Sequence, residues 1–261
     1  MWPFERRRDV LRIGRERVER WRPSEQGLVL QDQRAIEDGE GMRPEALGAA
    51  LQSLLSASVG APLDVVLESA WLPLMLLAVG EQPQSAAKLQ ALLRHRLTEL
   101  YGKNQGPMQG PIQGSMDDWS LQLDYRPGDS QALGFGLAPD VRRVIVDTAG
   151  ATGHKLASMQ PAFQWGAQQL GRRLGRREGR RDERGGGRHE SWWLWLEQDR
   201  GVLARLEQGR VVSLNAATPL PQDEAFSNRL AGIEARRHGL SDPEVCVVTA
   251  GWSAPWESVA A

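Results

Sequence analysis

Few residues of this sequence have both the type and the spacing that chemistry demands. The four histidines, His95, His154, His189 and His238, lie far apart and never fall at metal-ligand spacing. No Gly-x-Ser-x-Gly elbow offers a nucleophile. The one cysteine, Cys246, sits in the apolar run Val245-Cys246-Val247-Val248 and reads as a small buried hydrophobe. Val146-Asp147-Thr148-Ala149-Gly150 has the letters of a GTPase switch, whose aspartate reaches magnesium through water. Such a switch needs a phosphate loop upstream, and Gly150-Ala-Thr-Gly153-His-Lys155 has neither the spacing nor the hydroxyl of one. The segment therefore reads as the end of a helix. Asp117-Asp118 is a carboxylate pair at a loop edge, where turn propensity accounts for it.

The densest charge feature is the arginine and glycine run from Arg172 to Arg188. Arginines of this kind neutralise phosphates and stack on bases without folding beforehand. Here Glu178, Asp182, Glu183 and Glu190 dilute the charge, no aromatic residue interleaves it, and the whole chain carries a net charge of -1. The run reads as a solvated linker, and nucleic acid is not the expected partner.

Composition sets the outer limits. With 261 residues, 41% hydrophobic and 25% charged, the chain can bury one large core or two modest ones without disulfides. A single cysteine excludes an intrachain disulfide and suits a reducing compartment. The longest apolar run, Trp71 to Val79, is less than half of the roughly 20 residues that a membrane helix needs, and it contains a proline. Arg6 to Arg8 follow Trp2 and Phe4 with no apolar stretch behind them, so no secretory signal is expected, and the terminus reads as solvated rather than membrane-seated. A cytoplasmic protein with no membrane span is the expectation.

The elements follow from periodicity. Alternation around Val10, Ile13, Val18 and Trp21, continuing through Leu28-Val29-Leu30, predicts three short antiparallel strands. Pro44 opens a helix whose stripe is Leu47, Leu51, Leu54 and Leu55, and Gly60 closes it. Leu63 to Leu67 and Leu72 to Val79 are short and apolar throughout, which predicts buried strands of one central sheet. Ser85 to Tyr101 carries Leu89, Leu92, Leu93, Leu97 and Leu100 at helical spacing. The tandem Gln-Gly-Pro repeat from Gln105 onward resists helix and ladder alike and predicts a surface loop. Trp119 to Tyr125 and Ala132 to Leu137 predict a hairpin across Pro127-Gly128, followed by a helix from Pro139, a strand near Leu156 to Met159, and a helix through Phe163, Leu170 and Leu174. Beyond the arginine run the pattern restarts: strands at Trp192 to Leu196, Val202 to Leu206 and Val211 to Leu214, a helix with Phe226, Leu230 and Ile233 on one face, and a strand from Val245 to Thr249. Trp119, Trp192 and Trp195 fall at strand positions suited to a core, and Trp252 and Trp256 suit an interface.

Strand, strand, strand, helix, strand, given twice, resembles the actin-like ATPase fold. Met1 to Trp21, Leu63 to Gly102 and Leu156 to Leu174 are similar to the cytoplasmic actin-like components of type IV pilus and type II secretion platforms. The resemblance implies an α/β, two-lobed, actin-like (ribonuclease H-like) fold with mixed sheets and a reduced second lobe. Residues 1–175 would form the first lobe, 176–190 the linker, and 191–261 the second lobe. In such proteins an aspartate at the first hairpin orients magnesium and water while glycine amides hold phosphate. Here Leu11-Arg12-Ile13-Gly14-Arg15 keeps Gly14 but places Arg12 where the acid would stand. The second hairpin, Leu196-Glu197-Gln198-Asp199-Arg200-Gly201, lacks the aspartate-x-glycine order, and its acids read as surface turn residues. Thr249-Ala250-Gly251 resembles the family's adenosine turn.

If nucleotide binds, Gly14, Asp199, Gly201, Thr249 and Gly251 are the residues that the resemblance assigns to it, with ATP and magnesium as the ligands. The missing acids point instead to a non-catalytic scaffold, without cofactor, catalytic residue or metal, that binds the cytoplasmic segment of an inner-membrane assembly protein. A location peripheral to the inner membrane follows from that reading, and self-association stays open. An actin-like ATPase or kinase relative, and an RNA-associated protein, remain as alternatives.

Overall fold

The computed structural model describes residues 8–24, 27–37, 42–57, 60–80, 84–101, 116–126, 129–168, 190–197, 201–207, 210–217, 232–233, 236–237, 247–248 and 258–259. The chain divides into two compact units, Met1–Ala162 and Phe163–Ala261. The Gln-Gly-Pro repeat, the arginine run and Cys246 lie outside the described residues.

In the first unit, β1 (Asp9–Ile13), β2 (Arg17–Ser24) and β3 (Gly27–Ala35) run antiparallel, as alternation predicts. β4 (Leu63–Leu67) then joins β1 in parallel, and β8 (Leu156–Pro161) joins β4 in parallel. The order β3-β2-β1-β4-β8 is a mixed sheet with the ribonuclease H-like arrangement. β1 is buried along its whole length because it is flanked on both sides.

Helix α1 (Pro44–Ser56) makes the long connection from β3 to β4. Its proline sits in the first turn, where a missing N–H costs nothing, and its buried stripe is Leu47, Ala50, Leu51, Leu54 and Leu55. These side chains meet Leu11, Ile13, Val18, Leu63, Val65 and Leu67, which the alternation of β1, β2 and β4 presents on one sheet face. Burying each leucine stabilises the unit by about 2 kcal/mol. α3 (Pro139–Ala151) starts the same way and packs Val141, Ile145 and Ala149 inward beside α1. It contains Val146 to Gly150, so that motif is helical, as its context predicts.

The turn after α3 is tight. Gly153 has φ +75°, and a Cβ on Gly60 would lie 2.2 Å from the Gly153 carbonyl oxygen, so two backbones touch where only glycine fits. His154 is buried beside them, with Nδ1 3.0 Å from the Ala61 oxygen and Nε2 3.3 Å from the Leu55 oxygen. It ties the end of α1 to the approach of β4.

One expectation fails here. The run from Leu72 to Val79 does not enter the central sheet: β5 (Leu74–Ala78) belongs to a separate antiparallel sheet, β5-β7-β6, with β6 (Ser120–Asp124) and β7 (Gln131–Leu137). Both flanks of β4 are already taken by β1 and β8. The amides of Trp71 and Leu72 also donate to the Glu68 carbonyl, turning the chain away before Pro73. α2 (Ala86–Tyr101) covers this second sheet, with Leu89, Leu93 and Leu97 buried. Gly134 and Gly136 of β7 let it approach, since a Cβ on either would sit 2.7 Å from Leu93 or Leu97.

The second unit opens with helical residues 163–168. β9 (Glu190–Leu196), β10 (Gly201–Glu207) and β11 (Arg210–Ala217) form an antiparallel sheet, the predicted repeat of the three-strand opening. Trp195, Val202, Leu203 and Ala204 are buried, and Gly166 gives Trp195 room, because a Cβ there would lie 1.9 Å from the indole ring. β12 (Val247–Val248) lies beside β9 and pairs with β13 (Ser258–Val259), a strand that the sequence did not announce. The predicted helix around Phe226 and Leu230 lies outside the described residues.

Candidate functional site

The position to test is the first hairpin, where an actin-like phosphate site would put its acid. β1 ends on Arg12-Ile13, and the chain turns through Gly14 to Glu16 into β2. Register places Arg12 opposite Glu19 of β2 and beside Val66 of β4. Glu68 immediately follows β4, and its N–H extends the parallel ladder by donating to the Ile13 carbonyl at 3.0 Å. Period-two alternation therefore sends Arg12, Glu19 and Trp21 to the sheet face opposite the α1 core.

These charges are deeply buried: the side chains of Arg12, Glu19 and Glu68 are 7%, 3% and 0% exposed. Burial of that kind requires mutual pairing. Arg12 Nε donates to Glu68 Oε1 at 2.7 Å, and its Nη2 contacts the same oxygen. Arg12 Nη1 donates to Glu19 Oε2 at 3.1 Å, and Trp21 Nε1 donates to that oxygen at 3.0 Å. The other Glu19 oxygen pairs with Arg17 Nε at 2.7 Å, at the half-exposed rim. Two guanidiniums and two carboxylates thus meet in a charge-balanced network at the end of β1.

Gly14 is buried inside this hairpin. Its N–H donates to the Arg17 carbonyl at 3.1 Å, and its carbonyl accepts Trp71 Nε1 at 2.7 Å. The amide that the resemblance would give to phosphate is engaged in the turn. At the strand's other end, Arg22 grips Asp9 through two hydrogen bonds of 3.0 and 3.2 Å, and hydrogen bonding and charge from Asp9 raise the Arg22 pKa above the ordinary arginine value.

Among the second-unit candidates, Gly201 begins β10, opposite Leu196 of β9 and Ala217 of β11, and is buried. Asp199, Thr249 and Gly251 lie outside the described residues. Glu197 corrects the sequence reading: it is 6% exposed rather than a surface turn acid. It follows β9 directly, two residues from buried Trp195, so strand alternation carries it inward. No group of three or more histidine, cysteine or carboxylate side chains that could hold a metal occurs among the described residues, and no helix there is long and apolar enough to cross a membrane.

Glu19 and Glu68 were not singled out in the sequence, and Trp21 and Trp71 were read there only as a strand residue and the start of an apolar run. One signal was present: a charged residue between Leu11 and Ile13, in a strand flanked on both sides, needs a buried counter-charge. Its identity was not legible, because Glu68 is 56 residues away.

No protein-family model and no curated protein matches the sequence. Solved structures do match. A Bacteroides thetaiotaomicron protein with an actin-like ATPase fold and unknown function aligns at 7% identity and TM-score 0.55, over 96% of this chain and 85% of that one. The cytoplasmic domain of EpsL, an inner-membrane component of the Vibrio cholerae type II secretion system, aligns at 12% identity and TM-score 0.50, with the same coverages. The PilM-PilN type IV pilus biogenesis complex aligns at 13% identity and TM-score 0.52, over 90% of this chain and 66% of that one. With the mixed β3-β2-β1-β4-β8 sheet and the three-strand opening of each unit, these alignments establish that the chain has the actin-like fold.

Proposed function

We propose that this protein is a non-catalytic scaffold of a pilus or type II secretion inner-membrane platform, and that it binds the cytoplasmic segment of a membrane partner. The observation that carries the reading is the Arg12 network. A positive side chain fixed between Glu19 and Glu68 stands where a magnesium-orienting aspartate would be needed, and the Gly14 amide beside it is engaged by Arg17. Nucleotide hydrolysis at this hairpin would require breaking a buried ion network at a cost of several kcal/mol. The fold likeness to EpsL and to the PilM-PilN complex supplies the setting.

An extended partner segment suits an apolar sheet edge, where main-chain hydrogen bonds give affinity and side-chain pockets give register. β5 meets that description: it is an edge strand of its sheet, and Leu74, Met75 and Leu76 are half-buried. The nucleotide half of the reading is tested by thermal unfolding with and without ATP and magnesium. A scaffold keeps its melting temperature, whereas ATP at a hundredfold excess over its Kd would add about 2.7 kcal/mol. A rise that Asp199→Asn abolishes would overturn the reading.

A further inference from the structure

β3 is one of the two outer strands of the central sheet and, with nine residues, the longest strand described. A long outer strand presents a row of unpaired backbone groups, which is a template for another strand. The bond from Ile36 N–H to the Glu16 carbonyl, 2.7 Å, fixes the phase of the β2–β3 ladder. By antiparallel alternation Arg34 and Asp32 turn their backbone groups toward Val18 and Arg20 of β2, and Gln33 turns its own outward.

Those outward groups are sealed by their neighbours. Gln33 N–H donates to Asp32 Oδ1 at 2.8 Å. Arg34 Nη1 donates to the Gln33 carbonyl at 2.7 Å and also to Asp32 Oδ1, which closes the ring. Arg34 Nε is anchored on Ser53 Oγ of α1 at 3.2 Å, so the guanidinium is held from behind. Beside this clasp, Val29 and Leu30 are 48% and 39% exposed, an apolar inducement to pairing.

We propose that Asp32 and Arg34 form a clasp that keeps the edge of β3 closed against a second copy of this chain. The occupant follows from symmetry. An antiparallel copy centred on Gln33 matches the N–H and carbonyl of each Gln33 to the other. It also sets Asp32 opposite the copy's Arg34, so that the charges complement. The clasp makes the same contacts within one chain and so competes directly with the copy.

The test is sedimentation velocity of the full chain over a wide concentration range. The wild type should be monomeric. Asp32→Ala with Arg34→Ala gives up the exposed cross-copy charge pairs, which are worth little, but frees the Gln33 N–H and carbonyl, and should self-associate at least about tenfold more tightly, the effect of about 1.4 kcal/mol in freed edge hydrogen bonding. Adding Gln33→Pro to that pair should restore the monomer, because proline removes the outward N–H while leaving the ladder to β2 intact. Circular dichroism of each variant checks that the sheet persists. The proposal is overturned if the double alanine variant, still folded, stays as monomeric as the wild type. It is equally overturned if its association survives Gln33→Pro, since a different surface, or a heterologous strand, would then be responsible.

Discussion

Replacing Arg12 by alanine removes the cation that Glu19 and Glu68 share and takes from fully buried Glu68 the guanidinium that contacts it. Breaking a buried pair from one side costs about 3–5 kcal/mol, because the abandoned charge stays desolvated. Glu19 keeps Arg17 and the Trp21 indole, which places the expected loss near the lower end, about 3 kcal/mol. In a unit of this size each kcal/mol shifts the melting temperature by about 2–4 °C, so a fall of roughly 6–12 °C is expected. Urea denaturation followed by far-ultraviolet circular dichroism, together with thermal melts, measures both quantities. The companion triple variant, Arg12→Met with Glu19→Gln and Glu68→Gln, removes the three buried charges and should be closer to wild type than the single variant. A melting temperature for Arg12→Ala within about 2 °C of wild type would refute the reasoning, because it would mean that the network is solvated and carries no buried charge.

Gly60→Ala should cost at least about 2 kcal/mol in urea denaturation, because its Cβ would meet backbone, the Gly153 oxygen at 2.2 Å, which cannot rotate away. Trp71→Phe keeps most of the ring but deletes the N–H that reaches the Gly14 carbonyl at 2.7 Å. A loss of about 1–3 kcal/mol is expected, with hydrogen exchange of the β1–β2 hairpin amides accelerated; unchanged exchange would show that the indole does not secure the turn.

The fold was largely legible because its signals are local. Leu47, Leu51, Leu54 and Leu55 recur at helical spacing after Pro44, and the three-strand openings alternate with period two, so neighbouring residues specify each element. Even the paired openings that suggest an actin-like chain are short-range patterns repeated. Placement in sheets was a different matter. Leu74 to Ala78 has the composition of a central strand, yet β1 and β8 already occupy both flanks of β4, and competition between distant segments for hydrogen-bonding edges is not written in any window.

The candidate site divides the same way. The sequence alone determined that Arg12 and Gly14 stand two residues apart in the first hairpin, where the resemblance expects an acid and a glycine. Only the tertiary structure decided what the arginine does. Glu68 reaches it from the end of β4, Trp71 caps Gly14 from the turn beyond, and Glu19 lies opposite through strand register. A charge in a central strand must find a partner, but the low dielectric of the interior sets only that demand; the topology that lays β4 parallel against β1 chooses which residue answers it.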